Sequence, residues 1–409
     1  MSETTSPVTA GIDPAELFDD PYAVYGRLRE EGPVHRITGT DGLPAWLVTR
    51  YDDVRQAIAD RRLSLDKRHA TPGGYRGMAL PPALDANLLN MDPPDHTRIR
   101  KLVSRAFTPR HIEELREPVR RTAELLLDAR AGEEAFDLIA AYAAPLPITV
   151  ICDLLRIPGD ERYDFRAWSD ALMAPDPTRP ERAREAVGRL LAFFTGLLAD
   201  RREHPGDDLL SALIAVRDEE DRLSEDELMS LAFLVLVAGY ENTVHLIGNA
   251  VAALLTHPAQ LAALRADPAL VDGAVEELAR FDGPMPLAIR RFPVEDVTIG
   301  GVTVPAGETV LLSLAAAHRD PRRFPEPDRL DLTRDATGHL ALGHGIHYCL
   351  GAPLARMETS IALTTLFDRF PDLTLACPPQ DLRHRASMRS RGLVTLPVRT
   401  RPGQERPGS

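Results

Sequence analysis

The chain has 409 residues, 44% of them hydrophobic, and a net charge of −13, so a substantial core is within reach and a general nucleic-acid binder is disfavoured. Its three cysteines, Cys152, Cys349 and Cys377, are too few and too scattered for a disulfide framework. The start lacks a basic flank followed by an apolar segment, so we expect no signal peptide, no membrane anchor and a cytoplasmic protein.

Helical periodicity dominates in chain order, with apolar residues three and four apart over Tyr22–Glu31, Asp53–Ala59, Asp95–Ala106, Arg110–Arg130, Ala144–Leu155, Tyr163–Met173, Glu181–Arg202 and Asp207–Val216. Ser224 with Glu227 three places on forms a capping box, which starts a long central helix ending near Thr256. Helices at Pro258–Ala266, Leu270–Phe281 and Pro353–Phe370 follow. Strands are fewer: Val34–Ile37 with Ala45–Thr49 as a hairpin, then Val297–Ile299, Val302–Val304, Thr309–Leu314, Leu373–Ala376 and Leu393–Val398. The fold class is therefore mainly α with a smaller β component. No repeat or long linker divides residues 13–400, which we expect to form one domain between disordered ends at 1–12 and 401–409.

Two stretches stand out. In the central helix Tyr240, Glu241 and Asn242 interrupt an apolar run, and the run before Gly239 is shorter than the roughly 20 residues that span a bilayer. In Leu340–Glu358, LALGHGIHYCLGAPLARME, Cys349 sits among Gly343, Gly345 and Gly351, with Pro353 fit for the first turn of a helix. A lone cysteine is most often a small core hydrophobe. Here the glycines let the backbone approach something flat, and a nearby helix N-terminus favours thiolate. Zinc held by His344, His347 and Cys349 is a second reading of the same loop, although the spacing is unusual for zinc.

This loop resembles the haem-binding loop of the soluble bacterial cytochrome P450 monooxygenases. The resemblance extends from about Asp13 to Val398 and is closest to actinobacterial members that tailor macrolides and other polyketides. It implies a triangular prism of about a dozen helices, with the central helix over a buried haem b whose axial ligand is Cys349. One position departs from the family pattern: Leu342 stands where Phe is usual.

Further residues follow by the same resemblance. His96 and Arg100, one turn apart, Arg291 and His347 match positions that meet the haem propionates, and Gly351 and Ala238 match positions beside the cofactor. Singly, each of these cations reads equally well as a surface base or a satisfied histidine. Glu277 and Arg280 match a structural pair, although acid and base three apart on a helix are most often solvated. In the central helix the family's acid–alcohol pair corresponds to Glu241 and Asn242, with Thr243 next; we expect these three to serve proton delivery, with Glu241 feeding it from the solvent side. The substrate pocket is expected from Leu234, Val237, Ala238, Pro286, Leu287, Ile289, Met388, Trp168 and Met173.

The implied reaction activates O2 with two electrons from NAD(P)H, passed through a ferredoxin reductase and a ferredoxin, and hydroxylates or epoxidises a hydrophobic secondary metabolite. Lys101, Arg105, Arg110 and Arg356 are a candidate docking patch for the acidic ferredoxin, or an ordinary solvated face. A monomer without nucleic-acid or membrane partners is expected. The alternatives are a peroxide-driven hydroxylase, a non-catalytic haem-binding sensor, and a purely structural helical protein.

Overall fold

The computed structural model describes residues 8–9, 16, 20–39, 41–76, 81–104, 107–173, 179–206, 208–220 and 223–400. They cluster into two compact units whose segments alternate along the chain. One comprises Met1–Gly77, Ala123–Ala143 and Asn242–Ser409; the other comprises Met78–Thr122 and Ala144–Glu241. Because the chain leaves and re-enters each unit, no composition change marks a boundary. The division falls inside the central helix, Glu225–Thr256, between Glu241 and Asn242.

All strands among the described residues belong to the first unit. Val34–Thr38 and Pro44–Val48 pair antiparallel, and Pro44–Val48 pairs parallel with Val310–Leu312. Alternation follows the pleat: Val34, Trp46, Val48, Val310 and Leu312 enter one apolar cluster, Ile37, Ala45 and Leu47 another. Val8–Thr9 pairs parallel with His35–Arg36. The loose end expected over residues 1–12 therefore does not extend to these two β-branched residues, which add to an open strand edge.

Val302–Val304 and Val297–Ile299 form a separate hairpin. The strand expected over Thr309–Leu314 is shorter, because the Ser313 hydroxyl accepts the Ala316 N–H at 3.1 Å and caps a short helix, Leu314–His318. The helix expected over Arg110–Arg130 is split in two, Pro109–Glu114 and Arg116–Asp128.

The second unit is helical. The Ser224 hydroxyl accepts the Glu227 N–H at 3.1 Å, and Glu227 accepts the Ser224 N–H at 2.7 Å, so the capping box closes in both directions. The same carboxylate receives Arg98, from the helix Asp95–Ser104, at 2.5 Å. Helices Arg162–Met173 and Pro180–Glu203 pack through aromatic contacts among Phe165, Trp168, Phe193 and Phe194. Gly239 approaches the helix Pro145–Leu154 so closely that a Cβ there would stand 3.3 Å from Ile151 Cδ1. The small residue thus serves helix packing.

Candidate functional site

The central helix runs unbroken from Glu225 to Thr256. Most of its residues from Leu231 onward are buried, yet Leu234, Val237, Ala238, Glu241 and Asn242 are half-buried or exposed. They recur at three-and-four spacing, so they share one stripe of the helix surface. A carboxylate in this helix is thereby accounted for: Glu241 lies on the accessible stripe, while Thr243 is buried on another face. In the same unit the Tyr240 hydroxyl donates to Asp170 of Arg162–Met173. The sequence offered no signal for this bond, because its partners are seventy residues apart.

Cys349 occupies a loop that folds back on itself. Its N–H donates to the Leu342 carbonyl at 2.8 Å, and the Gly343 N–H donates to Leu340 at 2.8 Å. Gly343 and Gly345 have φ of 76° and 69°, the left-handed region that a glycine enters without cost. Gly345–His347 is one tight helical turn, after which the helix Ala352–Arg369 begins with Gly351 as its N-cap. Cys349 is a partly accessible thiol, outside any disulfide, two residues before that cap. A Cβ on Gly351 would come 4.0 Å from its sulfur. Hydrogen-bond closure and the left-handed turns at Gly343 and Gly345 fix the loop.

Beneath this loop lies a polar brace. Arg356 forks onto Glu276 at 2.5 and 2.9 Å and donates to the Tyr348 hydroxyl at 2.9 Å. His339 accepts the Ala341 N–H on Nδ1 at 3.1 Å, so its Nε2 donates to Glu276 at 2.8 Å. Burial opposes ionisation of Glu276, but Arg356 and His339 outweigh it and hold the carboxyl down at about 2. Arg356 is therefore held in place by the fold, with its side chain still 38% exposed. Arg110 is highly exposed and pairs with Glu114, and Arg105 lies outside the described residues.

Glu277 and Arg280 are buried and bonded at 2.6 and 2.8 Å; Arg280 also donates to the His318 and Pro327 carbonyls at 2.8 and 2.9 Å. Glu277 receives Arg334 and the Asp331 N–H, both at 3.1 Å. With these donors matched, the pair serves as a brace; removing one partner of such a buried pair typically costs about 3–5 kcal/mol. One residue that sequence reasoning missed is Glu358, buried in the helix after Cys349 and pushed up to about 8 by burial. Its spacing from Cys349 carries no signal of burial.

The expected propionate contacts divide between the units. Arg291 is buried, its backbone paired with Val310 at 2.9 Å in both directions, and His347 is half-buried in the cysteine loop. In the other unit His96 is buried and Arg100 half-buried on one face of Asp95–Ser104.

The substrate positions also divide. Leu234, Val237 and Ala238 lie on the accessible stripe. Trp168 instead packs edge-on against Phe193 at 6.0 Å, and the Met173 side chain lies outside the described residues. In the first unit Pro286 is buried and Ile289 half-buried. Leu287 is buried, bridged to Ser313 and packed in a cluster with Tyr25, Leu28 and Leu47. Met388 packs against the same cluster. Its loop is held by Asp282, which accepts Arg391 at 2.5 Å and the Tyr22 hydroxyl at 2.6 Å. Asn249 adds bonds to the Asp282 and Arg391 carbonyls at 3.0 and 2.9 Å.

These residues fit a thiolate-bound haem. One soft ligand stands in a glycine-rich loop ahead of a helix, and the basic side chains His96, Arg100, Arg291 and His347 are buried or half-buried, of the kind that can receive carboxylates. For zinc, no group of three His, Cys, Asp or Glu side chains is gathered among the described residues.

Residues 172–400 match the family model described as Cytochrome P450. The chain is 49% identical to cytochrome P450 monooxygenase PikC of Streptomyces venezuelae, over 94% of this chain and 92% of that protein. It is 44% identical to mycinamicin IV hydroxylase/epoxidase of Micromonospora griseorubida, over 91% and 94%. Among solved structures, the tirandamycin C-bound P450 monooxygenase TamI superposes with a TM-score of 0.88 at 45% identity, covering 96% of this chain and all of that one.

Proposed function

The chain belongs to the cytochrome P450 family, and from that premise we propose that it is a haem b monooxygenase that hydroxylates or epoxidises a macrolide or other polyketide. That it is a P450 monooxygenase of the polyketide-tailoring kind follows from its relatives; the particular substrate and the electron route are the proposal. The observation that carries it is Cys349, a partly accessible thiol in a closed glycine loop at the start of an 18-residue helix.

In this reading Cys349 holds the iron, and His96, Arg100, Arg291 and His347 hold the propionates. When bound, haem b supplies dioxygen activation with two electrons. Those electrons come from NAD(P)H through a ferredoxin reductase and a ferredoxin, in the cytoplasm, to a monomeric enzyme. Leu234, Val237 and Ala238 place an apolar substrate along the accessible stripe, with Pro286, Ile289 and Met388 completing the contacts. Glu241 brings protons from solvent. Asn242 has both donor and acceptor to hold a water, and Thr243 supplies the hydroxyl that the preceding position lacks.

The reduced, CO-bound spectrum tests the central claim. The red-shifted thiolate Soret band is expected, and Cys349→Ala should abolish it; a band that survives assigns the ligand elsewhere. Turnover with reduced ferredoxin is then compared with turnover on peroxide. Asn242, in the place of an alcohol, favours peroxide support as a second reading, because that route bypasses proton-coupled activation of dioxygen. Turnover on peroxide alone would replace the ferredoxin route.

A further inference from the structure

The loop over residues 383–392 carries Arg383, Arg385, Arg389 and Arg391 in a chain of net charge −13. Two of these guanidinium groups are engaged within the fold. Arg391 donates to Asp282 at 2.5 Å, and Arg383 donates to the Gln380 and Leu382 carbonyls at 2.7 and 3.3 Å. Arg385 has no such partner among the described residues, and its Nε is sealed from solvent without an acceptor. Its two terminal nitrogens are not sealed in this way and make no hydrogen bond among the described residues, so they are the part of the guanidinium that can meet a ligand.

Arg385 lines a narrow cleft, open to solvent, together with Pro21, Tyr25, Pro286, Ser387 and Met388. Its walls are apolar where Pro21, Pro286 and Met388 stand. Ser387 Oγ accepts the Arg389 and Ser390 N–H groups, both at 3.1 Å, and the Ser390 hydroxyl at 3.4 Å. The Ser387 lone pairs are occupied, which leaves its own proton to donate. The cleft thus combines a planar cation, a hydroxyl donor and an apolar wall. A planar pair of acceptor oxygens matches the guanidinium fork.

We infer that this cleft takes the carboxylate end of an elongated apolar substrate, Arg385 gripping both oxygens and Ser387 donating to one. The assignment rests on the reading of the chain as a haem-thiolate monooxygenase, since Pro286 and Met388 are among its proposed substrate residues. It narrows the substrate class to molecules that carry an anionic terminus.

Calorimetric titration of the holoenzyme with dodecanoate and with dodecanol tests it. The acid should bind about tenfold tighter than the alcohol, and less tightly at high salt. Arg385→Gln should remove the preference by weakening the acid about tenfold, with the alcohol within twofold, while Arg385→Lys keeps part of it. Ser387→Ala should lower the preference severalfold, and Arg389→Gln should leave it unchanged. Equal binding of acid and alcohol, no binding of the acid, or equal losses on both in Arg385→Gln would each overturn the inference. The CO-bound spectrum of the same samples separates the two readings. A missing thiolate band defeats the monooxygenase reading, whereas a normal band without acid preference defeats only the carboxylate site.

Discussion

Arg356 meets both oxygens of Glu276 across eighty residues of sequence, at 2.5 and 2.9 Å, and with its remaining nitrogen holds Tyr348 beside Cys349. The pair ties the helix Val271–Asp282 to the helix that follows the cysteine. A carboxyl held down at about 2 in the folded chain stabilises it fully above the ordinary carboxyl range. That contribution is lost as pH falls from about 4.5 towards 2. Glu276→Gln should therefore lower stability at pH 7 by about 1–2 kcal/mol, and the deficit should vanish near pH 2. Denaturant unfolding of wild type and variant across this range checks it; a pH-independent deficit would mean that Glu276 acts through packing alone.

Glu358 has the opposite sign. Burial raises it to about 8, so the folded chain favours the neutral acid. The stability associated with that proton is complete below about 4.5 and is lost as pH rises through about 8. Glu358→Gln keeps the shape without the charge, and should stabilise the protein by about 2–4 kcal/mol above pH 7.5 while having little effect at pH 4. Thermal melts at both pH values decide this. A variant less stable at high pH would show that the ionised form has a partner.

Gly392 faces the ring of His245 so closely that a Cβ would fall 1.9 Å from Nδ1. An aromatic ring fixed in the central helix cannot retreat as a flexible chain end does. Gly392→Ala should cost about 3 kcal/mol or more, with substantial rescue in the double variant with His245→Ala. Additive losses in the double-mutant cycle would place the strain elsewhere.

Asn242 sits where the family pattern carries an alcohol, on the accessible stripe of the central helix. Asn242→Thr should shift the ratio of product formed to NAD(P)H consumed, since an amide and a hydroxyl hold water differently. An unchanged ratio would remove this position from the proton route.

Local patterns were legible because their partners lie within a turn or two. The Ser224–Glu227 box, the Val34–Val48 hairpin and the glycines around Cys349 could all be read from spacing. Other features rest on residues far apart in the chain, which single-chain periodicity does not encode. Arg356 read as a surface cation because nothing in the sequence placed Glu276 beside it, and Leu287 gave no sign of its bridge to Ser313. Gly239 likewise gave no sign in the sequence of its close approach to Ile151. The interleaving of the two units was illegible for the same reason.

That interleaving has a consequence for how the protein is made. The Val34–Val48 hairpin emerges early from the ribosome, but the strand that covers its inner edge, Val310–Leu312, is synthesised about 260 residues later. At about 5–20 residues per second this leaves an apolar strand edge unpaired for on the order of ten seconds or more. Completion of the sheet is thereby tied to the nearly finished chain, and nascent protein has to be shielded from edge-to-edge association throughout its elongation.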